Sequence, residues 1–494
     1  MIKTRLAAAM LLTFVLAGCA VGPDFRHPET PTPERFARKE KPADEKPADE
    51  KPSDSGSGTT TDSEFWQSFN DPQLTALIDQ ALAANNDLRL ALSRYDSENA
   101  LLREAKFDRY PTITANAQGG HRLVSKDQSY GFPRGSRFYS ASANASWELD
   151  LFGRVRRHVE AQRAETAARA SDLQAMQISI VGEVASTYVQ LRGAQEQLRV
   201  ARANADNQRE TLHLVDTRLR AGRGTDFDTA RARAQFEITA SRVPALEAQI
   251  AVDEHRLAVL TARSPEVLIA DLDAQKSLPT LPADIDPGTP SDLLRRRPDI
   301  VAAEQRLHAS TARIGVATAD LFPRLSLSGA LGSQAFRSGD LFKSSSETSL
   351  LALGIDWSFL DIGRVRARIA ASHADAAGLL AQYQQTVLLA LEDTENALVR
   401  YARTRSEDEQ LARAAADSAQ AAQLARVRFE AGAIDLYEVL DAERTQLQAQ
   451  DAYADSHTRT ATAAVALYKA LAGGWPQHIP KREGLATLAS PLTQ

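Results

Sequence analysis

The sequence contains very few cysteines, methionines and aromatic residues. Cys19 is the only cysteine among 494 residues, so no disulfide can form within the chain. Methionines number three, and aromatic residues make up 6% of the chain. The apolar stretch 6–16 is only about as long as the hydrophobic part of a signal peptide, too short for a transmembrane helix. The single cysteine excludes a disulfide framework, and the three methionines form no Met-rich tract that would favour metal binding.

The residue patterns that enzymes need are also missing. The nine histidines are scattered, with no pair at metal-ligand spacing on a helix. There is no phosphate-binding glycine loop and no GxSxG nucleophile turn. We therefore expect no enzymatic activity, no metal site and no cofactor. The net charge of −6 gives no general reason to expect a nucleic-acid partner.

The first 19 residues resemble the signal of a bacterial lipoprotein. Lys3 and Arg5 precede the apolar stretch, and Leu-Ala-Gly-Cys at 16–19 resembles a lipobox. The resemblance implies removal of residues 1–18 and a covalent lipid on Cys19. Ala20, rather than Asp, follows the cysteine, which by the same sorting rule implies the outer membrane. An ordinary signal peptide with an incidental cysteine is the alternative.

A low-complexity segment follows this signal. Residues 26–61 lack large apolar clusters and contain repeated prolines with alternating charge, as in EKPADEKPADEKPSDS. A segment of this composition cannot bury enough apolar surface to offset the conformational entropy that it would lose on folding. We interpret 19–64 as a lipidated N-terminus and flexible linker.

The rest of the chain is rich in Ala, Leu, Arg and Glu and reads as two similar halves. WELDLFGRVR at 147–156 and WSFLDIGRVR at 357–366 lie 210 positions apart, as do Gly222 and Gly432. A repeat this long indicates one internal duplication rather than a solenoid. The predicted segments are an N-terminal helical part 65–109, a β-hairpin 110–152, a helical hairpin 153–263, a connector 264–296, a helix 297–321, a second β-hairpin 322–362, a second helical hairpin 363–473 and a tail 474–494.

Each β-hairpin shows strict alternation of apolar and polar residues. At 137–149, Tyr139, Ala141 and Trp147 alternate with serines, asparagine and glutamate. Alternation over 9–13 residues suits a strand that crosses a bilayer with its apolar side outward, although a half-buried surface hairpin would show it too. Four strands cannot close a barrel, so the membrane interpretation requires an oligomer, and three copies give twelve strands.

The predicted long helices, 153–221 and 363–431, each contain about 69 residues. At ~1.5 Å per residue each would extend on the order of 100 Å. Spacings of three and four between apolar residues, as at Ile178, Val181, Ala185 and Tyr188, favour coiled-coil packing. The fold class expected is therefore α+β: a trimeric twelve-stranded transmembrane β-barrel continued by a helical barrel.

The chain resembles TolC-type outer-membrane efflux channels, in the lipoprotein branch that includes OprM and the NodT group. The matching motifs are the lipobox with VGPDF at 21–25, FWQSFNDPQLTALIDQALAANNDL at 65–88, RRPDI at 296–300, both GRVR motifs and FEAGAIDLYEVLDAERTQL at 429–447. The resemblance implies a homotrimer anchored in the outer membrane and extending into the periplasm. It further implies end-on docking with a periplasmic adaptor and an inner-membrane pump of the resistance-nodulation-division type.

The resemblance also implies a gate at the ends of the helical hairpins. The positions that match the periplasmic gate are Tyr437, Glu438, Asp441 and Arg444. Gate-locking candidates in the first half are Asp228 and Arg231, with an Arg231–carboxylate contact as the hypothesis. Alternatively, these acids only cap helices, with Thr225 or Asp435 as the N-cap and Asp228 or Glu438 as the capping-box acid. Phe429 stands where the family often has tyrosine.

Three alternatives to a drug efflux channel remain. A type I protein exporter or a heavy-metal efflux channel would use the same duct. A coiled-coil envelope lipoprotein without a pore would explain the lipid and the helices, but not the two pairs of alternating strands.

Overall fold

A computed structural model describes residues 20–30, 33–37, 65–128, 133–272, 274, 276–281 and 285–472. Cys19, most of the linker and the tail 474–494 lie outside the described residues. The chain separates into two units. Among described residues, the first unit holds 20–30, 93–171 and 301–386, and the second holds 33–37, 65–92, 172–300 and 387–472.

The elements follow the duplicated order expected from the sequence. Among the described residues, no helix combines the length and hydrophobicity needed to cross a membrane. The helices are α1 (Pro72–Ala84), α2 (Asn86–Phe107), α3 (Arg154–Arg220), α4 (Asp226–Ala240), α5 (Arg242–Leu260), α6 (Pro265–Leu272), α7 (Pro290–Arg296), α8 (Pro298–Ala319), α9 (Ile362–Glu430) and α10 (Leu436–Leu471), and the strands are β1 (Thr112–Leu123), β2 (Gly135–Leu149), β3 (Arg324–Ala335) and β4 (Glu347–Asp356).

The four strands of the first unit form one antiparallel sheet in the order β1-β2-β3-β4. Ile113 pairs with Ala145, Trp147 with Leu327, and Leu327 with Leu353. Odd-numbered residues therefore share one face in all four strands, because side chains alternate between faces along a strand. The apolar alternation of the sequence becomes one continuous apolar face, with the Ser, Thr, Asn and Gln side chains on the other.

The repeated decapeptide marks the two places where a strand gives way to a long helix. In the first half, Trp147 Nε1 donates to the carbonyl of Arg109 at 3.0 Å. In the second half, Trp357 Nε1 donates to the carbonyl of Leu321 at 3.1 Å. Arg109 and Leu321 each directly precede an aromatic–proline pair, where the preceding helix has ended. In each half, this hydrogen bond joins the segment that leaves the second strand to the segment that enters the first strand.

Residues 20–25 pack against the first of these strand-to-helix switches, whereas no segment among the described residues packs in the same way against the second. Val21 N donates to the Phe152 carbonyl at 3.1 Å, and Arg157 Nη2 contacts Asp24 at 2.6 Å. Gly153 has φ +82°, and a Cβ there would lie 2.6 Å from Ala20. Gly363, the equivalent position, has open space around it. Glycine is thus required in the first switch by positive φ and by close packing.

The core of the second unit surrounds a buried arginine. Arg192 is fully buried, and it donates to Gln73 Oε1 at 2.8 Å and to the carbonyl of Ala274 at 2.8 Å. Its guanidinium lies 5.0 Å from the ring centre of Tyr188. The Tyr188 hydroxyl donates to Asp71 at 2.7 Å, and Asp71 also caps α1. Burial, with the Asp71 contact, raises the pKa of Tyr188.

Helices α3 and α10 pack closely in an antiparallel arrangement within the second unit. A Cβ on Gly193 would lie 2.1 Å from Thr458 Oγ1, and one on Gly182 would lie 3.2 Å from Lys469 Cδ. The two contacts are eleven residues apart on both helices. An eleven-residue repeat corresponds to ~3.67 residues per turn, so these contacts recur on one nearly straight stripe.

Two of the predicted helical segments contain breaks. Within 65–109, Asn85 ends α1 and its side chain caps α2 by accepting from the N–H groups of Asp87 and Leu88. Within the helical hairpin 153–263, the helical stretch after the turn is divided at Ser241 into α4 and α5. Pro244 explains this break, since it lacks the N–H that would bond to the carbonyl four residues earlier.

Candidate functional site

The first helical hairpin turns at a glycine and restarts with a complete capping box. Gly222 has φ +71°, and Arg223 N donates to the Arg218 carbonyl at 2.8 Å. Thr225 then accepts from Asp228 N, while the Asp228 carboxylate accepts from Thr225 N at 3.3 Å and from its hydroxyl at 2.7 Å. The capping prediction therefore holds in this hairpin. It also means that the Asp228 carboxylate is already hydrogen-bonded within its own turn.

The second hairpin has the same turn but a different cap. Gly432 has φ +75°, and Ala433 N donates to the Arg428 carbonyl at 2.8 Å. Asp435 precedes α10, yet its side chain makes no capping hydrogen bond. The prediction of a side-chain cap at Asp435 is therefore wrong. Glu438 is exposed, so its carboxylate is available to solvent or to a neighbouring subunit.

The predicted gate residues occupy the first three turns of α10. The Tyr437 side chain is 58% exposed. Asp441 and Arg444 form an ion pair with a Nη2–Oδ1 distance of 2.5 Å. Arg444 thus offsets the charge of Asp441 within one chain. Of the two predicted gate carboxylates, that of Glu438 has no cationic partner in the described part of the chain.

The predicted locking residue Arg231 contacts a gate residue, although through an unexpected group. Its guanidinium carbon lies 4.5 Å from the centre of the Tyr437 ring. Among the described residues it forms no ion pair with a carboxylate. A guanidinium over an aromatic face is attracted by the quadrupole of the ring. This contact joins α4 of the first hairpin to α10 of the second.

Two further links between the hairpins were not predicted from the sequence. The guanidinium of Arg218 lies 4.0 Å from the ring centre of Phe429. The buried Glu443 carboxylate accepts from Arg426 at 2.8 Å and from the Thr211 hydroxyl at 3.1 Å. Arg426 lies six residues before Gly432 and Glu443 lies eleven residues after it, so no sequence spacing pointed to this pair.

The polar face of the sheet is the second candidate functional surface. Its residues on β1 and β2, between Thr112 and Ser146, are mainly neutral hydroxyl and amide side chains. Arg122 lies on this face at the hairpin end, and two ion pairs lie at the end nearer the helices: Glu148 pairs with Arg154 at 2.5 Å, and Arg324 pairs with Asp320 at 2.5 Å. This face can line a water-filled passage, whereas the opposite face can meet lipid.

These two surfaces define a class of protein, a membrane channel with a strand-built section and a helical section. The family model described as outer membrane efflux protein matches residues 77–263 and 289–473. Each matched segment covers one half of the duplication. The chain belongs to this family.

Full-length relatives support the same conclusion. Nodulation protein T of Rhizobium leguminosarum bv. viciae is 30% identical over 98% of this chain and 97% of its own length. Outer membrane protein OprJ of Pseudomonas aeruginosa is 30% identical over 95% of this chain and 96% of its own length. The solved structure of the outer-membrane channel OprN matches with a TM-score of 0.84 and 40% identity, covering 93% of this chain and 100% of that one.

The comparisons confirm the fold class, the location and the general function predicted from the sequence. The protein is an efflux channel of the outer membrane that extends into the periplasm. Its fold class is a trimeric β-barrel, with four strands from each chain, joined to a long helical barrel. The roles of the gate and locking residues and the lipid on Cys19 stay predictions.

Proposed function

We propose that this protein is the passive exit duct of a tripartite efflux system for small molecules. A periplasmic adaptor and an inner-membrane pump of the resistance-nodulation-division type would deliver the cargo. The observation that carries this proposal is the sheet register. It places the polar residues of four strands on one face, as a water-filled bore requires.

The proposed gate is the region around the first turns of α10. In a trimer, Glu438 and Asp441 would contribute six carboxylates near one axis. Such a ring attracts cations and repels anions. Since Arg444 offsets Asp441, the Glu438 carboxylates would dominate the field, and Arg231, Arg218 and Glu443 would hold the hairpins closed.

The proposed lipid on Cys19 would anchor the chain beside its sheet. Ala20, the next residue, packs against Gly153 at the first strand-to-helix switch. The acyl chains would therefore enter the membrane close to the end of β2. The remaining linker, 38–64, lies outside the described residues. No catalytic step, metal or cofactor enters this proposal.

The proposed gate is tested by recording currents from the purified protein in planar lipid bilayers. Asp441→Ala should raise the basal conductance, because it removes the Asp441–Arg444 ion pair from the proposed gate. Glu438→Gln should instead reduce the preference for cations. Unchanged conductance and unchanged selectivity in both variants would refute this assignment of the gate. A wild-type protein without any current would refute the duct itself.

A further inference from the structure

The polar face of the sheet carries one aromatic side chain where the alternation predicts a polar one. Even-numbered positions of the four strands hold small or polar residues, apart from Phe138 and Leu350. Phe138 lies near the hairpin end of the sheet, the end that carries the β1–β2 and β3–β4 connections. An apolar ring that stays exposed on a water-facing surface gains little of the stabilisation that burial would give it.

The Phe138 ring lies over a glycine. Gly120 is its partner in β1, and a Cβ added there would lie 2.9 Å from Phe138 Cε1. A second aromatic ring lies at the same end of the sheet. β3 ends at Ala335, which pairs with Tyr139, and Phe336 follows just beyond the strand, where it lines the same cavity as Phe138. Phe138 is 36% exposed and Phe336 is 75% exposed. The rings of Phe138 and Phe336 together form an apolar surface at this end of the sheet, which we call the apolar shelf.

Hydrogen-bonding groups flank this shelf on the side nearer the helices. Gln118 pairs with Ser140, and Ser140 pairs with Gln334. Within the described residues, none of these three side chains has a hydrogen-bond partner. Two amides and a hydroxyl are therefore free to bind a molecule that rests on the apolar shelf.

The shelf and the amide row line a cavity of about 520 Å³. Arg122 and Glu347, which carry opposite charges, also line the cavity; Arg122 lies on the polar face, and Glu347 begins β4 on the other face. A volume in this range suits a small organic molecule. The lining combines flat apolar surface, amide groups and one charge of each sign.

We propose that this cavity is an exit subsite that transiently binds flat aromatic molecules, either uncharged or zwitterionic, as they leave the channel. The proposal rests on the proposed function, because it requires the polar face to line the passage. The Phe138 ring supplies a stacking surface, and the amide row orients the polar edge of the ligand. Stacking between aromatic rings is typically worth enough to change an affinity about 2- to 10-fold.

A simpler role for Phe138 is to cover the backbone of Gly120, as aromatic residues often do opposite glycines in sheets. The two roles give different expectations. A purely structural ring would affect sheet stability without selecting among solutes. A binding subsite would distinguish an aromatic solute from an aliphatic one of the same charge.

The test uses L-tryptophan and L-leucine, two zwitterions that differ in the flat ring. With the full-length protein in planar bilayers, millimolar tryptophan should interrupt the current, and leucine at the same concentration should not. Phe138→Leu should weaken the tryptophan effect about 2- to 10-fold. Leu350→Ala is the matched control, since it removes the other large apolar side chain of the same face outside the cavity, and it should change nothing.

Equal effects of the two amino acids, or a tryptophan effect that survives Phe138→Leu, would overturn the subsite while leaving the channel intact. Absence of current in the wild type would instead overturn the proposed function. Saturation-transfer NMR on the detergent-purified protein gives an independent measurement. Tryptophan signals should be attenuated by the wild type and by Leu350→Ala, and less by Phe138→Leu; equal attenuation by all three would refute the subsite.

Discussion

Contacts between arginines and aromatic rings distinguish the hairpin ends of this protein at the scale of single residues. Arg231 lies over Tyr437, and Arg218 lies over Phe429. Phe429 has no hydroxyl, so its position cannot supply a hydrogen-bonded lock. A cation–π contact needs only the ring, and at exposed sites it contributes about 0.5–1 kcal/mol.

The Tyr437 contact gives the first prediction. Tyr437→Phe keeps the ring and should leave the closed state unchanged. Tyr437→Leu removes the ring and should favour opening by about 0.5–1 kcal/mol, a roughly 2- to 5-fold increase in open probability. Single-channel recording compares the two variants. Equal open probabilities in the phenylalanine and leucine variants would show that the ring does not hold the hairpins together.

A buried carboxyl group in α5 gives a prediction about pH. Asp253 accepts from Gln249 Nε2 at 3.0 Å through one oxygen, and its other oxygen is buried without a partner among described residues. Burial raises the pKa of Asp253, against the opposing effect of the Gln249 hydrogen bond. The folded state therefore holds this proton more tightly than the unfolded state, whose pKa is about 3.9.

The stability that Asp253 contributes is accordingly present at low pH and is lost as the pH rises through its raised folded pKa. Asp253→Asn should raise the free energy of unfolding at pH 7 by about 1 kcal/mol, because the amide is neutral and can still accept from Gln249. Thermal unfolding of wild type and variant at pH 4 and pH 7 measures this difference. A larger stabilisation by Asp253→Asn at pH 4 than at pH 7 would contradict the raised pKa of Asp253.

At the scale of secondary structure elements, the buried Glu443 connects three helices. Its carboxylate on α10 accepts from Arg426 on α9 and from Thr211 on α3. Glu443 Oε2 is buried and has no hydrogen-bond partner among the described residues. A charge that is buried with incomplete hydrogen bonding contributes more to the specific arrangement of helices than to stability.

A double-mutant cycle tests this link. Glu443→Leu should destabilise the protein by about 2 kcal/mol, because Arg426 loses its charged acceptor. Glu443→Leu combined with Arg426→Leu should recover much of this loss, since no charge is then left unpaired. Unfolding free energies of the two single variants and the double variant give the coupling energy. Additive effects would mean that the two residues do not act as a pair.

At the scale of the whole molecule, each chain brings an open sheet to a membrane. Strands β1 and β4 are the two edges, and their outward backbone groups have no partners within the sheet. Unsatisfied backbone groups are costly in hydrocarbon, so these edges must pair with neighbouring chains. Trimer formation and membrane insertion are thus expected to be coupled.

This coupling predicts behaviour in electrophoresis. An unheated sample should migrate as a trimer, and a boiled sample should migrate as a monomer. Placing a proline at Ala115 in the edge strand β1 should weaken the trimer, because proline removes a donor from the ladder. Proline at Ser344, in the β3–β4 connection, is the matched control outside the ladder. Migration as a monomer before heating would contradict the barrel.

Much of the fold and part of the site could be predicted from the sequence. Alternation predicted the faces of the strands, and spacings of three and four predicted the long helices. Both are local properties of a few neighbouring residues. The breaks at Asn85 and Pro244 were missed because the helical pattern continues on both sides of them.

By itself, the sequence determined the duplicated plan and the membrane-facing pattern, since periodicity and turn residues act within one element. Only the tertiary structure decided which groups meet across the hairpins. It placed Arg231 on the ring of Tyr437, paired Asp441 with Arg444 and set Phe138 over Gly120. These contacts depend on helix and strand register, and a shift of one residue in either would separate them while leaving every local pattern unchanged.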